Sequence, residues 1–243
     1  MHTSFARLRM NSIIFACSLL SISNCCATTN RFPIVKCSTT LSTFERVSMT
    51  QLRDINSSQE QFRKAATDLI VSLVINVFEC LNTITVEIDT PVAHCQGEVL
   101  SDTIELVSVM RSGDVPLQIF SQYFPNAPIN KILIQRNEET AEPVFKYMKL
   151  SPTLTHATKV IVVEPMIATS GTLRLLINLL KEHGVAEENI IIASICAAPE
   201  GLTVLSREFP KISVVVNVID ERLNEKKYIS PGIGDFGDRY FGT

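Results

Sequence analysis

The sequence predicts an α/β protein, a doubly wound, mostly parallel sheet with flanking helices and a β-arm excursion. Three observations carry this. In the last half, short apolar runs at 160–163, 190–196 and 212–218 alternate with amphipathic stretches at 172–183 and 200–209. Strands separated by helices of this length are βαβ units, with parallel strands and right-handed crossovers. The helical stretches end at breakers, Gly184 and Pro210. Finally, 243 residues, 46% hydrophobic and 19% charged, suffice for one sizeable core.

Taken in order, the chain opens without acids: Met1 to Phe44 contains no Asp or Glu, and Glu45 is the first. Arg7 and Arg9 precede the apolar run 13-IIFACSLLSIS-23, and small residues follow at 25-CCA-27. That is the layout of a signal peptide, and the run is too short for a stable membrane span. The Ser/Thr-rich continuation also suits an organellar transit segment, and a disordered extension is the third reading. The expected organisation is an extension over 1–48, targeting-like or disordered, and one folded domain over 49–243. A targeting signal implies organellar or secretory routing; without one the protein is cytoplasmic.

Residues 59–81 place Phe62, Ala66, Leu69, Leu73, Val77 and Leu81 at helical spacing, with Ser57 or Ser58 near the N-cap. Residues 83–89 alternate Ile84, Val86 and Ile88 as a strand, ended by Thr90 and Pro91. A strand over 104–110, the turn Arg111 to Asp114 and a helix from Val115 to Tyr123 follow, the last stopped by Pro125. A short buried strand spans 131–135, and the polar segment 137–150 with Pro143 reads as the excursion.

A net charge of −3 gives no electrostatic case for nucleic acid, and the absence of Trp gives no stacking platform. Among the seven cysteines, Cys80, Cys95 and Cys196 form no CxxC pair, so a zinc site is not expected and they read as small buried hydrophobes.

The chemistry concentrates at 163-VEPMIATSGT-172. In doubly wound sheets, ligands bind at the carboxyl ends of strands, where Glu164 sits. Ala168 to Thr172 then open a helix whose first N–H groups lack acceptors and whose dipole is positive there. The loop suits a phosphate, and a carboxylate beside it suits sugar hydroxyls, so together they suit a ribose 5-phosphate. There is neither GxxxxGK nor GxGxxG. A plain βα turn with a Thr N-cap has the same appearance.

The segment 163–172 resembles the phosphoribosyl diphosphate loop of phosphoribosyltransferases. The ending 228-YISPGIGDFGDRYFGT-243 is similar to the uracil-binding C-terminus of the uracil phosphoribosyltransferase family, as are 197-AAPEG-201, 220-DERLNE-225 and 136-RNEETAEPVFKYMKL-150. The resemblance runs from about Leu52 to Thr243 and implies the type I phosphoribosyltransferase fold. The implied reaction joins uracil to 5-phospho-α-D-ribose 1-diphosphate, giving UMP and diphosphate in pyrimidine salvage. Arg111 and Asp235 are the implied catalytic residues. The implied phosphoribosyl diphosphate contacts are Arg111, Arg136, Glu164, Pro165, Met166, Ile167, Ala168, Thr169, Ser170, Gly171, Thr172 and Asp235, with backbone N–H groups of Ser112 and Gly113 also facing diphosphate. Ile229, Gly234, Asp235 and Phe236 are the implied uracil contacts. Mg²⁺ carried by the diphosphate, without direct side-chain ligation, a GTP effector and a homodimer or homotetramer complete the implication.

The chain departs from the family's pattern at several places. Glu164 stands for a usual Asp, Ser170 for a Gly and Asn137 for an Asp. The turn 109-VMRSG-113 falls where the family carries an Ile-Leu-Arg-Ala-Gly-like turn, and Asp114 follows where a glycine-rich continuation is usual. An acid there is expected to oppose the diphosphate. Glu164, Ser170 and Asp114 keep open a catalytically weak homologue that binds nucleotide as a sensor or subunit; an RNA-binding regulator on the same fold is a further alternative, which the net charge of −3 opposes.

Overall fold

The computed structural model describes residues 32–36, 41–136 and 143–243. The apolar run 13–23 and residues 137–142, Asn137 included, lie outside the described residues. The elements in order are β1 (Val35–Lys36), α1 (Thr43–Arg53), α2 (Gln59–Phe78), β2 (Thr83–Asp89), β3 (His94–Leu100), β4 (Ile104–Met110) and α3 (Asp114–Tyr123). Then come β5 (Ile129–Arg136), β6 (Pro143–Lys149), β7 (Lys159–Val163), β8 (Met166–Ile167), α4 (Gly171–Glu182), β9 (Ile190–Ala197), α5 (Pro199–Glu208) and β10 (Ser213–Ile219). A two-stranded ribbon of β11 (Arg222–Leu223) and β12 (Ile229–Ser230) leads to α6 (Phe236–Phe241).

The main sheet has the order β1-β10-β9-β7-β4-β5-β6, with β8 continuing alongside β9. Every pair is parallel except β5 with β6, which is the described part of the expected excursion. Alternate residues of the central strands face opposite layers. Ile161 and Val163 of β7 pack with α2 and α3, while Val160 and Val162 pack with α4 and α5. Strands covered on both faces read as unbroken apolar runs, which is why 160–163 and 190–196 were conspicuous.

Helix α2 starts where the spacing predicted, with Ser58 as N-cap in a reciprocal capping box with Gln61. Two expectations need correction. The boundary drawn between 48 and 49 falls inside α1, which begins at a second capping box, Ser42 with Glu45. Upstream of it, Phe32, Ile34 and Val35 are buried, and β1 pairs with β10, so the fold starts before Met49. The strand expected over 83–89 is present as β2, and it pairs with β3, a strand the sequence did not announce, as a ribbon separate from the main sheet. Of the three cysteines read as buried, only Cys196 is; Cys95 is exposed on that ribbon and Cys80 is half-buried.

Candidate active site

The carboxyl ends of β4 and β7, the N-terminal end of α4 and the turn after β12 surround a cleft of about 400 Å³. That is the size of a small-ligand site. Glu164, Met166, Ala168 and Thr172 line it from one wall, and Ile229, Gly234, Asp235 and Phe236 from the other. Residues read from two distant segments of sequence therefore face one gap. Arg111 stands at its margin rather than in its lining. Pro165 and Ile167 are buried. Pro165 accepts N–H bonds from Ile195 and Cys196 through its carbonyl, while Ala198 donates to the Ile167 carbonyl, so both hold the loop to β9. Arg136 ends β5; the expectation for its side chain lies outside what the structure describes.

The wall built by β7 and α4 presents backbone. Ser170 is the N-cap of α4 in a left-handed conformation, φ 65°, and makes no capping bond with its side chain. The opening N–H groups of α4 therefore face the gap without a competing side-chain acceptor from the cap. Instead the Ser170 hydroxyl donates to the Gly201 carbonyl at 3.0 Å, tying the loop to α5. The approach is close: a Cβ on Gly201 would lie 2.2 Å from the Ala168 carbonyl oxygen.

Beside it, the turn after β4 carries Arg111, Ser112 and Gly113; the Met110–Arg111 peptide is cis. The Ser112 hydroxyl donates to Glu164 Oε1 at 3.2 Å. The Gly113 N–H already donates to the Val109 carbonyl at 2.9 Å, so it is not the diphosphate donor the sequence suggested. Asp114 also differs from expectation. Its Oδ1 accepts from Ser108 at 2.7 Å and lies 3.2 Å from Lys131 Nζ. Ser108 and Lys131 are register partners on β4 and β5, so the acid is turned onto the sheet and matched by a cation. It does not line the cleft.

The opposite wall hangs from Asp220 at the end of β10. This buried carboxylate accepts from Arg53 at 3.1 and 2.5 Å, from the Gly232 N–H at 3.0 Å and from Cys196 Sγ at 3.0 Å. Burial and the Asp220 charge push the Cys196 thiol well up, so it is a neutral donor here. Burial opposes the Arg53 charge, but the bond and charge of Asp220 win and raise its pKa. Arg53 also donates to the Gly232 carbonyl at 2.9 Å. Gly232 and Gly234 have φ of +63° and +74°, backbone that other residues adopt at a cost, and a Cβ on Gly232 would meet the Ile229 carbonyl at 2.0 Å. Arg239 bonds the carbonyls of Leu52, Asp54 and Ile233 at 2.6–2.8 Å, over the Phe62 ring.

Asp235 caps α6, its Oδ1 accepting from the Asp238 N–H at 3.0 Å, which leaves the second oxygen for the cleft. The Phe236 ring is buried against Phe62 and Tyr240, so it does not narrow the gap; only backbone is offered there. Arg111 reaches across to Asp238 at 3.2 Å and lies over the Phe241 ring. Both partners of that pair are more than half exposed, 57% and 55%, so its contribution is small and an anionic ligand can displace it. Sequence reasoning missed Lys226, Lys227 and Tyr228, the tip of the β11–β12 ribbon, which also line the cleft. Lys227 has φ 63°, which no side-chain pattern signals.

A doubly wound sheet with a helix-opening loop after β7, a carboxylate at its start and a glycine-bearing turn opposite is the arrangement of the type I phosphoribosyltransferase fold. Comparison with known proteins gives the family. The chain belongs to the uracil phosphoribosyltransferase family, whose model matches residues 42–243. A uracil phosphoribosyltransferase of Dictyostelium discoideum is 38% identical over 195 residues, 80% of this chain and 90% of that protein. One from Dictyoglomus thermophilum is 38% identical over 196 residues, covering 80% and 93%. The solved structure of the AQ2163 protein from Aquifex aeolicus matches with a TM-score of 0.75 at 29% identity, over 85% of this chain and 98% of that one.

Proposed function

We propose that this chain transfers the phosphoribosyl group of 5-phospho-α-D-ribose 1-diphosphate to N1 of uracil. The C1–O bond to diphosphate breaks, the N1–C1 bond forms, the N1 proton leaves, and UMP and diphosphate are released. The observation that carries this is the meeting of the 164–172 loop and the 229–236 turn across one cleft. The family and its relatives favour the enzyme over a nucleotide-binding or RNA-binding regulator.

In this reading the opening N–H groups of α4 hold the 5-phosphate, and Glu164 accepts from the ribose hydroxyls. Arg111 leaves Asp238 for the diphosphate and neutralises charge gathering on the leaving group. Ile229 and the Gly234–Phe236 backbone read the edge of uracil. A fixed backbone frame rejects cytosine by leaving its reversed donors and acceptors unpaired. The second oxygen of Asp235 orients N1–H and takes its proton.

Magnesium belongs to the same proposal. Among the described residues no cluster of three His, Cys, Asp or Glu is placed to hold a metal, but Glu164 and Asp235 face the cleft. Such a sparse acidic set suits an ion brought by the diphosphate oxygens, where it supplies positive charge to the leaving group. A homo-oligomer is proposed as well, supported by the exposed Ile84, Ile88, Val92 and Val99 of the β2–β3 ribbon.

The test mixes the full chain with labelled uracil, phosphoribosyl diphosphate and Mg²⁺ and follows UMP. Asp235→Asn keeps an N-capping side chain but loses the base, and is expected to cut kcat by about a hundred- to ten-thousandfold. Arg111→Ala is expected to cost about a hundred- to a thousandfold. No UMP from the wild type, with nucleotide still bound, would transfer the assignment to the non-catalytic homologue.

A further inference from the structure

Resting on that reading of the cleft, we infer that the Ser112 hydroxyl is a positioning group for Glu164, and that the two act as one unit in docking the ribose. The turn that carries Ser112 is pressed onto the end of β7. A Cβ on Gly113 would lie 2.6 Å from the Val163 carbonyl oxygen and 2.7 Å from that of Val109, so the turn lies too close to β7 for any side chain at 113. It is also closed by its own bonds. Gly113 donates to Val109 at 2.9 Å, Asp114 to Arg111 at 3.1 Å and Val115 to Ser112 at 3.2 Å. Val163 is the residue immediately before Glu164. Whatever stands at position 112 therefore sits within reach of the carboxylate, and here it is a hydroxyl 3.2 Å away.

Chemistry explains why a donor belongs there. A Glu side chain has one more rotatable bond than an Asp, and so more freedom to lose before it can hold a ligand. A charge-assisted bond to one of its oxygens restricts that freedom. A carboxylate offers about four lone-pair sites, so a bond from Ser112 to Oε1 is compatible with bonds from ribose hydroxyls. In the pattern this chain departs from, the two positions are Ala and Asp, which offer neither the donor nor the longer reach. Here both have changed, and the changed residues bond each other. The second change supplies what the first requires.

Calorimetric titration of the full chain tests this without needing turnover. The probes are phosphoribosyl diphosphate with Mg²⁺, and inorganic diphosphate, which has no ribose. Ser112→Ala is expected to weaken phosphoribosyl diphosphate about tenfold, the scale of one bond to a charged group. Inorganic diphosphate should bind with unchanged affinity, and Ser112→Thr should restore most of the loss. Glu164→Asp draws the carboxylate out of reach, so adding Ser112→Ala to it should cost nothing further. Three results would overturn the inference. Ser112→Ala could bind like the wild type, inorganic diphosphate could weaken by the same factor, or the two losses could simply multiply. A wild type that binds no phosphoribosyl diphosphate would remove the proposed function together with the inference; a wild type that binds it, unaffected by Ser112→Ala, removes the inference alone.

Discussion

On one wall of the cleft, residues 229–236 hang from a buried carboxylate that takes both Arg53 nitrogens and the Gly232 N–H, while Arg239 ties three carbonyls below. On the other wall, backbone bonds at Pro165 and Ile167 hold the loop to β9, and hydroxyls steady the parts that face the cleft, Ser112 at Glu164 and Ser170 at Gly201. The contrast follows from what each wall presents. A turn that reads a planar base through N–H and C=O groups needs its backbone fixed from behind, because no side chain can compensate a shift. A wall that presents side chains and a helix terminus can exchange residues, provided each new one finds a partner nearby. The departures from the family's pattern at 112, 164 and 170 fall on this second wall and the one at 114 lies behind it, and each of the four takes part in a bond donated by a hydroxyl within 3.2 Å.

The largest effect should come from cutting the buried anchor. Asp220→Ala leaves Arg53 without its carboxylate and the Gly232 N–H without its acceptor. Breaking one partner of a buried pair costs about 3–5 kcal/mol. For a domain of this size the melting temperature should fall by roughly 6–20 °C. No single substitution on the phosphoribosyl wall should approach that. A thermal melt of Asp220→Ala within a degree or two of the wild type would sink the comparison.

The base wall also rests on α1 at its other end, and that support is sensitive to acid. Glu45 is buried in the first turn of α1, bonded by the Ser42 N–H at 2.7 Å, the Ser72 hydroxyl at 2.5 Å and Asn217 at 3.5 Å. Burial alone would raise its pKa, but these bonds outweigh burial and bring it below the ordinary carboxylate value. A depressed folded pKa contributes stability that is present above the unfolded value of about 4.3 and lost as pH falls through the folded one. Glu45→Gln should therefore be about 1–2 kcal/mol less stable than the wild type at pH 7. Urea titrations should show that gap closing as the pH is taken below about 4. A gap that widened in acid would mean Glu45 is not held as the carboxylate.

These two predictions draw on parts of the fold that were not equally legible. Helix α2 and strands β4, β7, β9 and β10 were readable because burial on one stripe, or on both faces, writes a strong apolar period. The loop 164–172 was readable because an acid, small residues and hydroxyls follow a buried strand in an order few turns need. Strand β3 was not, since His94 to Leu100 is exposed nearly throughout and carries no burial pattern. Helix α1 was hidden by its position beside an acid-free stretch, although Ser42 and Glu45 spell a capping box. The Arg53–Asp220 anchor joins residues 167 apart in sequence, which no local pattern reports. Asp114 was misjudged because sequence shows a charge but not its direction.

The smallest effect belongs to Ser170, where strain and bonding nearly cancel. A left-handed conformation costs a residue with a side chain about 1–2 kcal/mol. The hydroxyl bond to Gly201 returns about 0.5–1.5 kcal/mol. Ser170→Gly loses the bond and the strain together, so its stability should stay within about 1 kcal/mol of the wild type. Ser170→Ala loses the bond and keeps the strain, so it should fall about 1 kcal/mol below the wild type. The order of the two variants in a urea titration is the informative quantity. If Ala is the better replacement, the loop is not left-handed at 170 in solution, and the claim that the phosphoribosyl wall balances each departure with a local partner loses one of its supports. If Gly is better, the hydroxyl is what allows a serine to occupy a position whose backbone favours glycine.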